Sequence, residues 1–191
     1  ALEKTPGLLV SEESTPLVSI GYRGLAPDRA QFMQMMKDGL PIQADLFGYP
    51  EAYYIPPFQV VDRIDFIGGG SSLMYGPQPG GAINFVTKEP TKDTPFSFFT
   101  ENSAGSHDFF SDTTGISGTR GPFGYYGYYH HRQSQGFREF NSRYDVHYGG
   151  SKFVLEPDAD SKWTAAFDLY NEAHGEPGGL TREAFDSNPA Q

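Results

Sequence analysis

The chain of 191 residues contains no cysteine. That excludes a disulfide framework, a thiolate metal site and a thiol nucleophile. Basic residues are scarce: Lys and Arg number 14 against 24 Asp and Glu, for a net charge of −10. With no basic stripe to displace counterions from phosphates, nucleic acid is excluded as a partner. Apolar residues make up only 37%, and no apolar run approaches the roughly 18 residues that a membrane helix needs. The opening ALEKTPGLLV lacks the charged and apolar regions of a secretion signal. If the protein is exported, the chain is expected to begin inside the mature sequence.

What the chain has in excess is glycine (23), proline (15) and aromatics (15%), a mixture that favours short strands and many turns over helices. The length suits one or two domains. The most informative stretch is Val60–Lys88, VVDRIDFIGGGSSLMYGPQPGGAINFVTK. A strand around Arg63–Ile67 runs into Gly68–Gly70, and a second strand, Ala82–Thr87, follows Gly80-Gly81. Two strands joined by so much glycine imply a backbone crossing too close for side chains. Upstream, Leu8–Val10 and Leu17–Tyr22 read as short strands, and Ala1–Lys4 as the end of a helix stopped by Pro6-Gly7. Phe32–Met36 reads as apolar and flexible, closed by a turn at Lys37-Asp38-Gly39, after which Leu40-Pro41-Ile42 is extended.

Val60–Lys88 closely resembles the plug-domain signature of TonB-dependent outer-membrane receptors, RIEVLRGPSSLLYGxxAxGGVINIVTK. Earlier pieces resemble the same family in order: TPGLLV its TPGV opening, SIGYRG its IRG strand end, MMKDGLPI its VLxDGxP turn. The resemblance implies a plug over residues 1–90, an α+β domain with a small mixed sheet and short helices. Two irregular segments, Ala26–Phe32 and Gln43–Pro57, correspond to the plug's ligand-facing apex loops. Asp28, Arg29, Gln31, Phe32, Tyr49, Glu51, Tyr53 and Tyr54 are the candidate contacts there. Arg29 suits an anionic chelate, and Tyr49 offers a flat hydrogen-bonding surface. The other reading of these residues is ordinary surface loops. Arg23 and Arg63 stand where plug arginines of the family pair with barrel glutamates; the alternative is two solvated arginines. The family usually has Arg or Lys at the position of Gly68, so one customary lock is missing.

From Pro95 onward, segments of alternating hydrophobicity are separated by turn-like breaks. The clearest is Lys162–Glu172, with Trp163, Ala165, Phe167 and Leu169 on one face and Thr164, Ala166, Asp168 and Tyr170 on the other. Phe123–Gln133 is a second, its Tyr125, Tyr126, Tyr128 and Tyr129 suited to an aromatic belt. Phe96–Glu101, Phe109–Ser117 and Tyr144–Leu155 are less regular. Short breaks fall at Gly121-Pro122 and Pro157–Asp160, long ones at Gln135–Arg143 and from Gly175. Periodicity alone fits a soluble antiparallel sandwich equally well. The segment GEPGGLTREAFDSNP resembles a PGGLSxxxF/Y loop in the ferric-citrate type of the receptor family, which turns the reading to residues 91–191 as antiparallel strands of a transmembrane β-barrel. About five strands of an expected 22 are present, an incomplete barrel.

Candidate chemistry beyond transport finds no support. Gly68–Ser72 lacks the Gly-Lys-Ser/Thr ending of a phosphate loop, and no Gly-x-Ser-x-Gly elbow occurs. His130 and His131 would face opposite sides of a strand and so not share a metal; no metal-ligating set, catalytic residue or permanently bound cofactor is expected. The resemblance implies a receptor in the outer membrane of a Gram-negative bacterium, its plug within the barrel and facing the periplasm. The transported ligand would be a ferric siderophore or an iron carboxylate such as ferric citrate. Its partners would be outer-membrane lipid and the TonB energy-coupling protein, whose recognition peptide is not visible. The alternative is a secreted β-rich module that binds carbohydrate or protein through its tyrosines.

Overall fold

The computed structural model describes residues 2–12, 18–43, 52–68, 72–76 and 78–190. They fall into two compact units, Ala1–Thr87 and Lys88–Gln191.

In the first unit a 3-10 turn, Leu2–Lys4, precedes strand β1 (Leu8–Glu12), which pairs antiparallel with β2 (Val18–Tyr22). A second sheet is built from β3 (Gln34–Lys37), β4 (Leu40–Pro41), β5 (Val61–Ile67) and β6 (Ala82–Thr87), in the order β4-β3-β6-β5. It is mixed: β5 runs antiparallel to β6, whereas β3 runs parallel to it. A short helix, α1 (Ser72–Tyr75), lies between β5 and β6. The segment expected to be flexible, Phe32–Met36, is instead an inner strand whose Met33, Met35 and Met36 are buried. Gln34, Met35 and Met36 are buried in succession, so β3 lacks the alternation that betrays a half-exposed strand. Met33 and Met35 join Ile20, Ile83 and Phe85 in one core cluster.

The expected close approach is seen at Gly80, against the segment leading into β3; Gly69 and Gly70 lie outside the described residues. Gly80 donates its amide to the Phe32 carbonyl at 2.8 Å, and Gln34 donates to Gly81 at 2.8 Å. A Cβ on Gly80 would lie 2.6 Å from that same Phe32 oxygen and 2.6 Å from Met33 Sδ.

The two halves of the sequence pattern also lock together. Asp38 and Gly39 turn with φ of 49° and 82°. From that turn the Asp38 carboxylate accepts hydrogen bonds from the Thr87 amide (2.8 Å) and hydroxyl (2.5 Å). Gly39 in turn donates its amide to Asn84 Oδ1 at 2.9 Å. Thr87 is buried, so removing its acceptor strands two donors. Asp38→Ala is therefore expected to cost about 2–3 kcal/mol. Hydrogen exchange should show faster exchange at Thr87 and along β6, with the strand Tyr144–Asp158 of the second unit unchanged.

The second unit is a five-stranded antiparallel meander in the order β11-β10-β9-β8-β7. Its strands are β7 (Ser97–Ala104), β8 (Phe110–Arg120), β9 (Phe123–Ser134), β10 (Tyr144–Asp158) and β11 (Ser161–His174). Gly121-Pro122 joins the paired residues Arg120 and Phe123, and Ala159-Asp160 joins Asp158 and Ser161. Both tight turns stand at one end of the sheet. At the other end lie the longer segments, including 135–143 and 175–190. The latter is not all loop: Thr181 caps helix α2 (Arg182–Ser187), its side chain accepting from the Ala184 amide.

Register fixes the two faces. One carries Phe98, Ile116, Phe123, Phe153, Phe167 and Leu169, all exposed. The other carries Thr113, Ser117, Tyr126, His130 and Lys152, all buried. Strand parity also splits the four tyrosines of β9. Tyr126 and Tyr128 point to the second face and Tyr125 and Tyr129 to the first, so they do not form one belt. At the turn end, nearly buried Lys152 reaches Glu89 Oε1 at 3.4 Å, and Lys162 reaches Glu89 Oε2 at 3.2 Å.

Candidate functional site

In the first unit, chain direction reverses sharply at Asp28–Ala30, where Arg29 and Ala30 both take positive φ, 46° and 56°. Neither is glycine, and each left-handed residue of this kind costs roughly 1–2 kcal/mol. Three contacts hold the conformation. The Arg29 amide donates to Ser19 Oγ at 3.0 Å, the Ala30 amide to the Pro27 carbonyl at 2.8 Å, and the Ala52 amide to the Arg29 carbonyl at 2.8 Å. The last bond ties the first irregular segment to the second. As a result the Arg29 guanidinium lies 5.1 Å above the Tyr53 ring, a cation–π contact worth roughly 0.5–2 kcal/mol.

The structure thus brings Arg29 and Tyr53 together. Asp28 is exposed beside them, and Gln31 and Phe32 are half-buried on the same turn. Tyr54 is half-buried next to Tyr53. Tyr49 and Glu51 lie outside the described residues. Chemically, the pairing offers a fixed cation with several N–H donors beside an aromatic face, suited to an oxygen-rich anion. A separate cleft of about 610 Å³ in the same unit is lined by Val10, Val18, Ile20, Val61, Ile64 and Phe85 among others, and shares no residue with this turn. Its walls are mainly apolar, with Asp62 and Arg63 among the lining residues.

Arg23 and Arg63 are both exposed in this unit. Arg23 lies over the Tyr22 ring at 4.9 Å, and Arg63 Nε meets Asp65 Oδ1 at 3.2 Å on its own strand. The glycine at 68 has a local reason: a Cβ there would stand 3.0 Å from the Tyr22 hydroxyl. Tyr22, packed edge-on against Phe66 at 5.1 Å, fills the space into which a larger side chain would grow.

In the second unit the two long segments are bonded into one cluster. Asn141 Nδ2 donates to the Glu176 carbonyl at 2.8 Å, Asn188 Nδ2 to Glu139 Oε1 at 3.1 Å, and Arg138 to the Gly178 carbonyl at 3.4 Å.

The histidines separate as parity requires. His130 is buried on one face, 2.7 Å from Thr113 Oγ1. His131 points to the other, where its cross-strand partner is His147. Sequence reasoning compared His131 with its neighbour and missed this partner. The signal was the Gln135–Arg143 break, because a hairpin folded symmetrically about that segment sets residue 131 opposite residue 147.

Comparison with known proteins places these features. Residues 1–83 match the TonB-dependent receptor plug domain family. The ferripyoverdine receptor of Pseudomonas aeruginosa is 28% identical over 192 aligned residues, covering 89% of this chain and 22% of that protein. The ferric aerobactin receptor of Klebsiella pneumoniae is 32% identical over 108 residues, covering 56% of this chain and 13% of that receptor. The crystal structure of the unliganded ferric citrate transporter FecA superposes with a TM-score of 0.83 at 27% identity, over 100% of this chain and 31% of that one. The chain therefore spans under a quarter of the length of the curated relatives it matches.

Proposed function

We propose, from the plug-domain match over residues 1–83, that the chain belongs to the TonB-dependent receptors and that the full protein takes up a ferric chelate across the outer membrane of a Gram-negative bacterium. The observation that carries this reading is the likeness to the ferric citrate transporter, which runs through both units at a TM-score of 0.83. Transport is a conformational step driven by a periplasmic energy-coupling protein of the TonB type, with no bond made or broken in the cargo. Iron enters as cargo, within its chelate.

We assign the plug to residues 1–90 and the first barrel strands to 91–191. β7 and β11 each end the described sheet with one side unpaired, which a membrane does not tolerate. Further strands, to a total of about 22, would close the wall. The exposed row of Trp163 (70%), Phe167 (66%) and Leu169 (78%) supports a lipid-facing side and disfavours the secreted module, which would place such a patch in water.

On the ligand side we assign Arg29 and Tyr53 as the central contacts, with Asp28, Gln31, Phe32 and Tyr54 beside them; Tyr49 and Glu51 stay candidates from the sequence. Arg23 and Arg63 stay candidates for holding the plug in register. A single arginine beside tyrosines suits an iron carboxylate or an anionic siderophore. Equilibrium binding of ferric citrate and of ferric siderophores to the full-length receptor tests this. Arg29→Ala is expected to cost about 2 kcal/mol, roughly thirtyfold in Kd. Unchanged affinity for every bound chelate removes Arg29 from the site, and no binding of any ferric chelate rejects the reading.

A further inference from the structure

At the loop end of the second unit, the exposed face holds a cluster the transport reading does not use. Reading across the sheet, register sets Asp112, His131, His147 and Asn171 side by side on four neighbouring strands. Asp145, two residues from His147, completes the group. Asp145 Oδ1 lies 2.7 Å from His147 Nε2 and 3.3 Å from His131 Nε2. The two imidazoles stack with centroids 4.6 Å apart and planes within 7°. One nitrogen from each ring and one Asp145 oxygen all fall within 4.8 Å of one another.

Two further observations point to a ligand. His131 Nε2 and Asp145 Oδ1 are sealed from solvent, and their polar contacts, 3.3 Å to each other and 2.7 Å from Asp145 to His147 Nε2, lack hydrogen-bond geometry. A buried pair in that state is costly, and a cation between them would satisfy both. The Tyr129 hydroxyl sits 2.6 Å from His147 Nδ1. With Nδ1–H donating to that oxygen, His147 Nε2 is left with a free lone pair aimed at Asp145, the arrangement by which an outer partner orients a ligating imidazole. A polar cleft of about 630 Å³, lined by Asp145, His147, Arg143, Asn171 and His174 among others, opens on the cluster and gives an ion a way in.

We propose that His131, Asp145 and His147 form a binding site for a borderline divalent transition metal such as zinc. Two imidazoles and a carboxylate are the donor set that such ions prefer over magnesium or calcium. Zinc bonds of roughly 2.0–2.1 Å set neighbouring ligand atoms about 3.3 Å apart, so the present spacing needs only a tilt of the rings. The bound ion would bridge β9 and β10 at the base of the 135–143 segment, and so couple outside metal to the order of that loop cluster. This site does not depend on which chelate the receptor carries.

The test uses the full-length receptor in detergent, stripped with EDTA and titrated with zinc against a chromophoric competitor. One equivalent is expected to bind at this cluster. His131→Gln and His147→Asn should each weaken it at least about tenfold, and the double variant should abolish it. His130→Gln, on the opposite face, should leave it intact. Tyr129→Phe, a positioning change, should weaken zinc without altering the stoichiometry. Zinc should also slow hydrogen exchange in residues 135–143 of the parent protein but not of His131→Gln; gel mobility of the barrel checks that the variants at these half-buried positions fold. The proposal is overturned if the parent takes up no zinc, or if the His131 and His147 variants bind it as the parent does.

Discussion

Phe167→Arg is expected to cost the folded receptor about 2–4 kcal/mol, the penalty for a cation on the lipid face near the middle of an outer-membrane barrel. Phe167 is 66% exposed and lies in register with Ser151 on β10. In the same row across the sheet stand Gly127, Ile116 and Phe98. If the face meets lipid, the arginine has no water and no partner at that depth. Thr164→Arg, on the opposite face of the same strand, is expected to stay within about 1 kcal/mol, because that side would line a wet interior. Urea titration of the receptor refolded into vesicles, followed by heat-modifiable gel mobility, reads both. Equal tolerance at both positions would mean that the exposed aromatic face does not meet lipid.

Gly80→Val is expected to damage the first unit severely, by about 3 kcal/mol. Its Cβ would stand 2.6 Å from the Phe32 carbonyl oxygen, the very atom that accepts the Gly80 amide hydrogen bond. A main-chain atom cannot step aside as a side-chain tip can, and Met33 Sδ presses from the same direction at 2.6 Å. The strand β3 would have to leave β6, taking Met33 and Met35 out of the core. By contrast, a Cβ on Gly178 or Gly179 meets nothing within 4 Å. Valine at either of these, although they belong to the conspicuous PGGL segment, should change stability by less than about 0.5 kcal/mol. Limited proteolysis of the full-length protein distinguishes the two outcomes: rapid cleavage within residues 1–87 for Gly80→Val, and parent-like resistance throughout for Gly178→Val.

Much of this architecture could be read in the residues. The β8–β9 hairpin was legible because Gly121-Pro122 allows only a tight turn, and a tight turn fixes register for the full length of both strands. The face of β11 was legible because Trp163, Phe167 and Leu169 alternate with Asp168 and Tyr170. β3 was not, because Met33, Met35 and Met36 are covered on both sides and show no alternation. The partnership of Asp38 with Thr87 was hidden for another reason. Its two residues lie 49 apart in sequence, and only the parallel pairing of β3 with β6 brings them together. At the candidate site, both irregular segments were singled out in the sequence, but the bond that ties them, Ala52 amide to Arg29 carbonyl, was not. Nor was the reason Arg29 can lie over Tyr53: it rests on two consecutive left-handed residues that have no glycine to announce them. Cross-strand pairs such as His131 and His147 escape any search that looks only at neighbours in sequence.

The most direct test of the account is accumulation of radioiron from a ferric chelate by a Gram-negative strain whose sole receptor of this class is the full-length protein. The account requires uptake above the receptor-free strain, reduced to that baseline when the energy-coupling protein is deleted or the proton gradient collapsed. Uptake that persists without energy coupling would make the protein a passive channel, and baseline accumulation from every ferric chelate supplied would contradict a role in iron transport.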